Sequence, residues 1–323
     1  MFIKYPQNPI IPRTKGSFYS IYSANPDILE FNGKLFYYFR GQGDSYHDQL
    51  GLAITDAEHF DGIHWEKIYP EPVIPVSTDP TAPDSNHILD PGSIVLNGKV
   101  YLYYSAYSVS GEYSVCLATS EDGIHFERSP KNPIIPNALA PEPVIKDGQL
   151  YLFYQRWTEI ENQKAIVYLC TGNGTDFDLS QEQVVFTPPE GYVSISTNRI
   201  YNEDGWYYDF FGKNKRFSDY PESIGIARSK DLLHWEYSSQ DVITRGEPGS
   251  WDEGALWFAT VYKHNGRYYL WYEGTGTANG RKTQEDVRTS DIAINESYGG
   301  YSITNFSQIG LATYDGPLEA YFK

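Results

Sequence analysis

Several acidic side chains stand just before, or at the start of, apolar segments of this 323-residue chain, where they could act together on a ligand. These acids are Asp27, Asp90, Glu142, Asp252 and Glu253. Two carboxyl groups facing one another can carry out acid–base chemistry, in which one gives a proton while the other activates water or attacks carbon. Proline flanks the first three and fixes the backbone there, although Asp beside Pro is also ordinary turn chemistry. Whether the acids meet depends on the elements that carry them.

A glycine-containing turn and a burst of tyrosines follow each segment. The turn glycines, Gly33, Gly98, Gly148, Gly205 and Gly266, are 65, 50, 57 and 61 residues apart. Asn-Gly and Asp-Gly pairs favour two-residue β-hairpin loops, and the flanking aromatic residues favour strands. The period suits a four-stranded propeller blade. The sequence therefore predicts an all-β fold, a five-bladed β-propeller of four-stranded antiparallel blades.

A second phrase recurs about twenty residues later, as in LATSEDGIHFER at 117–128, and predicts the outer hairpin of each blade. A third phrase, FERSPKNPIIP at 126–136, resembles the start of the chain, FIKYPQNPIIP at 2–12, whereas the last blade stops before it. We therefore expect the N-terminal segment to complete the last blade and close the ring, which leaves no open edge. A closed ring predicts a single domain over residues 1–323.

Composition limits the partners. A net charge of −17 argues against nucleic acid and anionic membranes, which attract Lys and Arg. No segment approaches the ~20 apolar residues of a membrane span, and the N-terminus lacks an apolar signal region, so we expect a cytoplasmic protein, or a secreted one if a native leader is missing. Cys116 and Cys170 occupy similar third-strand positions in neighbouring blades, where we expect small buried hydrophobes and not a disulfide, and no metal-ligand spacing is present. No metal or other cofactor is predicted, a structural cation near the propeller axis being the alternative, and the oligomeric state stays open.

A propeller brings the starts of its first strands and the ends of its second strands to one face. Arginines and aromatic rings accompany the acids there, and this mixture suits a sugar, because rings pack on its C–H face and charged groups bind its hydroxyls. The candidate substrate-binding residues are Arg40, Tyr107, Arg156, Trp157, Asn198, Arg199, Trp257 and Glu273. The arginines could instead only neutralise the acids.

The Gly-centred blades, the DP and EP strand entrances, the SEDGIHFER hairpin and the WDEG…NGRYYLWYEG segment resemble the five-bladed β-propeller glycoside hydrolases, the group that includes families 32, 43, 117 and 130. The resemblance covers essentially the whole chain. It implies a family 43-like glycosidase in which Asp27 takes the position of the general base and Asp90 or Glu142 the positions that follow. Blade four departs from this pattern, because it begins with STNR at 196–199 and offers no acid.

These observations predict an enzyme of carbohydrate metabolism that degrades an oligo- or polysaccharide through two carboxyl groups. We expect Glu142 and Glu253 to form the reacting pair, because glutamates reach furthest into a pocket, and Asp27 and Asp90 to orient the donor or bind hydroxyls, with Asp27 as base in the alternative. Two other functions stay open, a non-catalytic carbohydrate-binding propeller and a glycoside phosphorylase. The polar stretch 274–308 is expected to form a lid or a subunit contact, a disordered loop being the alternative.

Overall fold

Almost every regular element of the computed structural model is a β-strand. The model describes residues 1–11, 14–157, 165–188, 191–192, 194–215, 221–247, 250–276 and 307–323, without the side chains of 157 and 165–167. The predicted lid lies outside the described residues from 277 to 306. Among the described residues, no helix has the length and apolar character needed to cross a membrane.

Strands in the first half of the described chain form three antiparallel sheets. Blade one contains β2 (Tyr22–Phe31), β3 (Lys34–Gln42), β4 (Asp48–Asp56) and β5 (Lys67–Ile68), and β1 (Ile3–Lys4) precedes it in the chain. Blade two contains β6 (His87–Leu96), β7 (Lys99–Tyr107), β8 (Tyr113–Ser120), β9 (Glu127–Arg128) and β10 (Ile135–Pro136). Blade three contains β11 (Leu139–Lys146), β12 (Gln149–Trp157), β13 (Ala165–Gly172) and β14 (Gln183–Phe186).

The remaining strands form two further sheets. Blade four contains β15 (Ser194–Glu203), β16 (Trp206–Asn214), β17 (Ser223–Ser229), β18 (Glu236–Tyr237) and β19 (Ile243–Thr244). Blade five contains β20 (Ala255–His264), β21 (Arg267–Thr275) and β22 (Gln308–Tyr314), and its outer strand is β1 (Ile3–Lys4) from the N-terminus. The five-bladed propeller closed by the N-terminal segment is therefore confirmed.

Turn chemistry sets the inner hairpin of each blade. In all five turns the Asn or Asp has φ between 49° and 52° and the following Gly has φ between 74° and 81°. Two consecutive positive φ angles define a type I′ turn, whose twist matches that of the flanking strands. The predicted Asn-Gly and Asp-Gly loops are thus the turns that the structure uses.

Large side chains fill the spaces between neighbouring blades. Between blades five and one, for example, Tyr37 and Trp271 are fully buried with ring centroids 6.0 Å apart, and Trp65 of the outer hairpin packs 4.8 Å from Tyr37. Each pair of adjacent blades has a hydrophobic cluster of this kind. Cys116 and Cys170 are free and buried in two of these clusters, as expected. Much of the aromatic content therefore serves blade packing.

Candidate active site

A β-bulge interrupts the innermost strand of every blade at the same point. The register with the second strand shifts there, and one residue of each bulge has a positive φ between 43° and 59°. These bulge residues are Asn25, Asp90, Ala140, Thr197 and Phe258. All five line one cavity at the centre of the ring. A positive φ at a non-glycine residue costs free energy and is concentrated at functional sites, which makes this ring of bulges the first structural indication of a site.

The cavity has a volume of about 390 Å³ and two chemically different walls. One wall carries the charged and titratable side chains Arg40, Asp48, His87, Asp90 and Glu273. The other wall carries the apolar and aromatic side chains Leu139, Ala140, Trp257 and Phe258, which pack together with Tyr107. A concave site with an apolar face and a few convergent polar groups is the usual form of a small-molecule site.

Asp48 is the best-paired acid of the charged wall. Arg40 binds it through two hydrogen bonds, Nε to Oδ1 at 2.9 Å and Nη2 to Oδ2 at 3.0 Å, and His87 Nδ1 lies 3.0 Å from Oδ2. Tyr22 also donates to Oδ1. Burial raises the pKa of Asp48, but Arg40 and the hydrogen bond from His87 outweigh it and lower the pKa to about 2. Asp48 is therefore ionised and fixed in position at neutral pH.

Asp90 and Glu273 differ from Asp48. Burial raises the pKa of both carboxyl groups, and their hydrogen bonds and neighbouring charges do not outweigh it. Asp90 Oδ2 accepts a hydrogen bond of 2.6 Å from Ser105, whose hydroxyl in turn accepts from the N–H of Ala140 at 2.8 Å. Glu273 accepts from the backbone and side-chain N–H groups of Asn25 at 3.0 and 2.9 Å, and from Ser307 at 2.6 Å. The charge of Asp90 further raises the pKa of Glu273. Two carboxyl groups with raised pKa thus share the cavity.

Two of the acids predicted to be catalytic lie further from the mouth than the cavity-lining bulge residues. Asp27 and Glu142 each stand two residues beyond the bulge residue of their strand, and both are buried around Arg199. Arg199 binds Glu142 Oε2 at 3.1 Å and donates to the carbonyl of Pro91 at 2.7 Å. Burial raises the pKa of Asp27 to about 6 and that of Glu142 to about 8, although Arg199 opposes the shift in both.

The remaining two predicted acids precede the first strand of blade five, which begins at Ala255. Asp252 is paired with Lys4 at 2.5 Å and accepts from Tyr272 at 3.0 Å, so it fastens the N-terminal strand. Glu253 is buried and is not among the cavity-lining residues. Of the five predicted acids, Asp90 is a bulge residue with a positive φ, and Phe258 holds the corresponding place in blade five.

The predicted substrate-binding residues divide in the same way. Arg40, Tyr107, Trp257 and Glu273 line the cavity. Arg156 instead binds Glu182 at 2.9 Å and the carbonyl of Pro136 at 3.0 Å. Asn198 and Arg199 are buried behind the bulge of blade four. Trp157 ends β12, and its side chain lies outside the described residues.

Sequence reasoning missed Asp48, Asn25 and Gln155, and it left open whether His87 lines the pocket, holds a metal or lies in a surface loop. Asp48 begins the third strand of blade one and pairs with Gln42 at the end of the second. The start of the third strand of a blade is therefore the position in the repeat that indicates Asp48. Among the described residues, no cluster of three or more His, Cys, Asp or Glu side chains is arranged to hold a metal ion.

Comparison with solved structures places this fold. A structure described as a glycoside hydrolase matches with a TM-score of 0.70 at 15% identity, covering 95% of this chain and 90% of that one. A family-43 enzyme from Xanthomonas citri, solved with xylose, matches with a TM-score of 0.64 at 15% identity, covering 97% and 90%. A thermostable family-43 glycoside hydrolase has a TM-score of 0.63 at 15% identity, covering 79% and 86%. The chain shares the fold of family-43 glycoside hydrolases.

Comparison of sequences is less informative than comparison of structures. No protein-family model matches the chain. An uncharacterised protein of Mycobacterium tuberculosis strain H37Rv, Rv1502, is 25% identical over 203 residues, which are 57% of this chain and 66% of that protein. Its counterpart in strain CDC 1551, MT1551, matches to the same extent. The match spans slightly less than two thirds of the length of either relative.

Proposed function

We propose that this protein hydrolyses a glycosidic bond in an oligo- or polysaccharide, with Asp90 and Glu273 as the reacting carboxyl groups. The observation that carries the proposal is their shared position in the central cavity, each with a raised pKa. Glycoside hydrolysis requires one carboxyl group that is protonated and one that is ionised on opposite sides of the bond. The fold supports the same reaction class, since solved proteins with this fold include glycoside hydrolases.

Hydrogen bonds and charge distinguish the two carboxyl groups. Glu273 accepts three hydrogen bonds, from two N–H groups of Asn25 and from Ser307, and donors of this kind stabilise the ionised form. Asp90 accepts a hydrogen bond from Ser105, and its charge raises the pKa of Glu273. The two groups accordingly share the roles of proton donor to the leaving oxygen and of base or nucleophile. Asp48, ionised and held by Arg40, orients hydroxyl groups beside them.

The walls of the cavity suit a sugar ring. Trp257 and Phe258 offer an apolar surface for the C–H face of the ring, and the carboxylates of the cavity accept hydrogen bonds from its hydroxyls. A phosphorylase would need cations free to bind phosphate. Arg40 is the arginine among the described residues that line the cavity. Its Nε and Nη2 already donate hydrogen bonds to Asp48 and Tyr22, so they are not free for phosphate. This engagement favours hydrolysis over phosphorolysis.

The test is a screen of nitrophenyl glycosides of arabinose, xylose, galactose, fucose and mannose. In Asp90→Asn and Glu273→Gln we expect kcat to fall by about 10²-fold to 10⁴-fold, the usual contribution of acid–base catalysis. Glu253→Gln should keep its activity, since that side chain does not line the cavity. Thermal unfolding of each variant separates loss of chemistry from loss of fold.

Three outcomes would change the conclusion. Full activity in both cavity variants would remove Asp90 and Glu273 from the reaction. A rate that depends on inorganic phosphate would identify a phosphorylase. Binding of these sugars without turnover of any glycoside by the wild type would leave the carbohydrate-binding function instead.

A further inference from the structure

Gln155 is a polar side chain at the apolar wall of the cavity. It lies on β12 of blade three, lines the cavity together with Leu139 and Ala140 of β11, and is only 6% exposed. Its Nε2 donates a hydrogen bond of 3.2 Å to Oδ1 of Asn198 in blade four. An amide has one acceptor oxygen and two N–H donors, so this bond uses only one of the donors.

Behind Gln155, the hydrogen bonds continue to a buried acid. Asn198 is 2% exposed, and its Nδ2 donates to Oδ2 of Asp209 at 2.5 Å. Asp209 is 0% exposed, and its pKa is also affected by a hydrogen bond from the backbone N–H of Arg199. The three side chains form a chain, Gln155–Asn198–Asp209, which runs from the cavity wall into blade four.

The direction of every bond in this chain follows from its buried end. Asp209 Oδ2 accepts from Nδ2 of Asn198 whether the acid is ionised or carries its proton on Oδ1, so Asn198 turns its N–H group toward Asp209 and its oxygen toward Gln155. Gln155 must then give an N–H to Asn198, which leaves its oxygen Oε1 and its second N–H for a ligand. The amide is held in one of its two flipped orientations by groups that do not line the cavity.

We propose that Gln155 is a specificity-determining residue that binds one hydroxyl group of the sugar in the cavity, in an orientation fixed by Asn198 and Asp209. The inference rests on the proposed function only in taking the ligand to be a sugar. A hydroxyl both donates and accepts, so it matches the Oε1 and N–H that Gln155 presents. An analogue without that hydroxyl leaves a desolvated amide unpaired, which is the strongest basis for rejecting a ligand.

The first experiment combines a change in the ligand with a change in the protein. For the nitrophenyl glycoside that the wild type hydrolyses best, kcat/KM is measured for each monodeoxy analogue with the wild type and with Gln155→Met, which has similar length but no amide. We expect removal of one particular hydroxyl to cost the wild type about 10-fold to 100-fold and to cost Gln155→Met almost nothing. Equal losses in both proteins at every position would overturn the proposal.

The second experiment tests the orientation through a residue that does not touch the ligand. In Asp209→Asn the new amide can donate to Asn198 Oδ1, so Asn198 can turn its N–H toward Gln155 and reverse both amides. We expect the preference for the hydroxyl over the deoxy analogue to fall at the same ring position as in Gln155→Met. Asp231→Asn is the matched control, because Asp231 is a half-exposed acid of the outer hairpin in the same blade.

These outcomes separate this inference from the proposed function. If the wild type hydrolyses none of the glycosides, calorimetric binding of free arabinose, xylose, galactose, fucose and mannose, followed by the monodeoxy forms of the sugar that binds, gives the same comparison without catalysis. Loss of discrimination in Gln155→Met and Asp209→Asn but not in Asp231→Asn supports the proposal. Unchanged discrimination in Asp209→Asn overturns the role of the chain, and absence of binding by any sugar overturns the whole inference.

Discussion

Among the residues that the structure describes, Asp209 forms no ion pair, and this sets how its carboxyl group responds to pH. It is fully buried, and its hydrogen bonds come from the neutral groups Asn198 Nδ2 and the backbone of Arg199. Burial raises its pKa to about 8, and the more distant charge of Arg199 only partly opposes the shift. The native state therefore keeps a proton on Asp209 at pH values where the unfolded chain has lost it.

This retained proton predicts a pH-dependent stability. Between the ordinary pKa of 3.8 and the native value of about 8, the native state binds more protons, so the free energy of unfolding falls as pH rises, by on the order of 1 kcal/mol per pH unit for this group. Asn at position 209 cannot ionise, so we expect the stability of Asp209→Asn relative to the wild type to improve steadily from pH 5 to pH 8. Urea unfolding at several pH values measures this difference, and parallel profiles for the two proteins would contradict it.

Each innermost strand must both pass close to the axis and bend outward at its bulge. Gly92 shows how tight this passage is, since a Cβ added there would lie 2.3 Å from the carbonyl oxygen of Pro141 and 3.0 Å from Cδ of Pro143. Both atoms belong to the first strand of blade three. Blade two therefore needs glycine two residues after Asp90 for steric reasons.

For Gly92→Ala we expect a loss of about 1–3 kcal/mol in unfolding free energy, typical of overpacking, together with a lower kcat/KM, because the displaced strand carries Asp90. Gly98→Ala is the matched control in the same hairpin. Its added Cβ would meet nothing within 4 Å, and its φ of +77° makes the substitution strained far from the cavity. It should lower stability without changing kcat/KM. Unaltered activity in Gly92→Ala would show that the strand adapts without moving Asp90.

The outer hairpins show what a repeated phrase predicts well. In blades one, two and four an Asp accepts from the side chain of a His three residues later, with Nδ1 to Oδ2 distances of 2.6–2.7 Å, and the adjoining aromatic ring packs inward. These histidines are at least 84% exposed, so they form turns and not a site. The local sequence suffices here, because every partner lies within a few residues.

The whole ring depends on its first residues. Phe2 is 4% exposed and packs 6.2 Å from Phe210 of blade four and 5.3 Å from Tyr314 of blade five. Its neighbour Ile3 is 73% exposed, although both belong to the segment that completes the last blade. A substitution at Phe2 therefore tests side-chain packing, and a substitution at Ile3 tests a residue that contributes mainly through backbone pairing.

We expect Phe2→Ala to lower the free energy of unfolding by about 3–5 kcal/mol, as for other buried aromatic truncations. Ile3→Ala should stay within about 0.5 kcal/mol, as for most surface substitutions. Thermal and urea unfolding provide the measurement. Similar stabilities for the two variants would mean that ring closure does not rest on the Phe2 contact.

The sequence by itself determined the blades, their turns and the closure of the ring. The turns follow from interactions between residues adjacent in sequence, and the blades and the closure follow from motifs that recur along the chain. It also placed Asp90, Arg40, Tyr107, Trp257 and Glu273 near one mouth. Only the tertiary structure decided which acids face the cavity. A bulge moves each strand by one register, and a shift of one residue turns a side chain from one face to the other. Asp27 and Glu142 consequently surround Arg199, while Asp48 enters the site from a strand that the repeat did not single out.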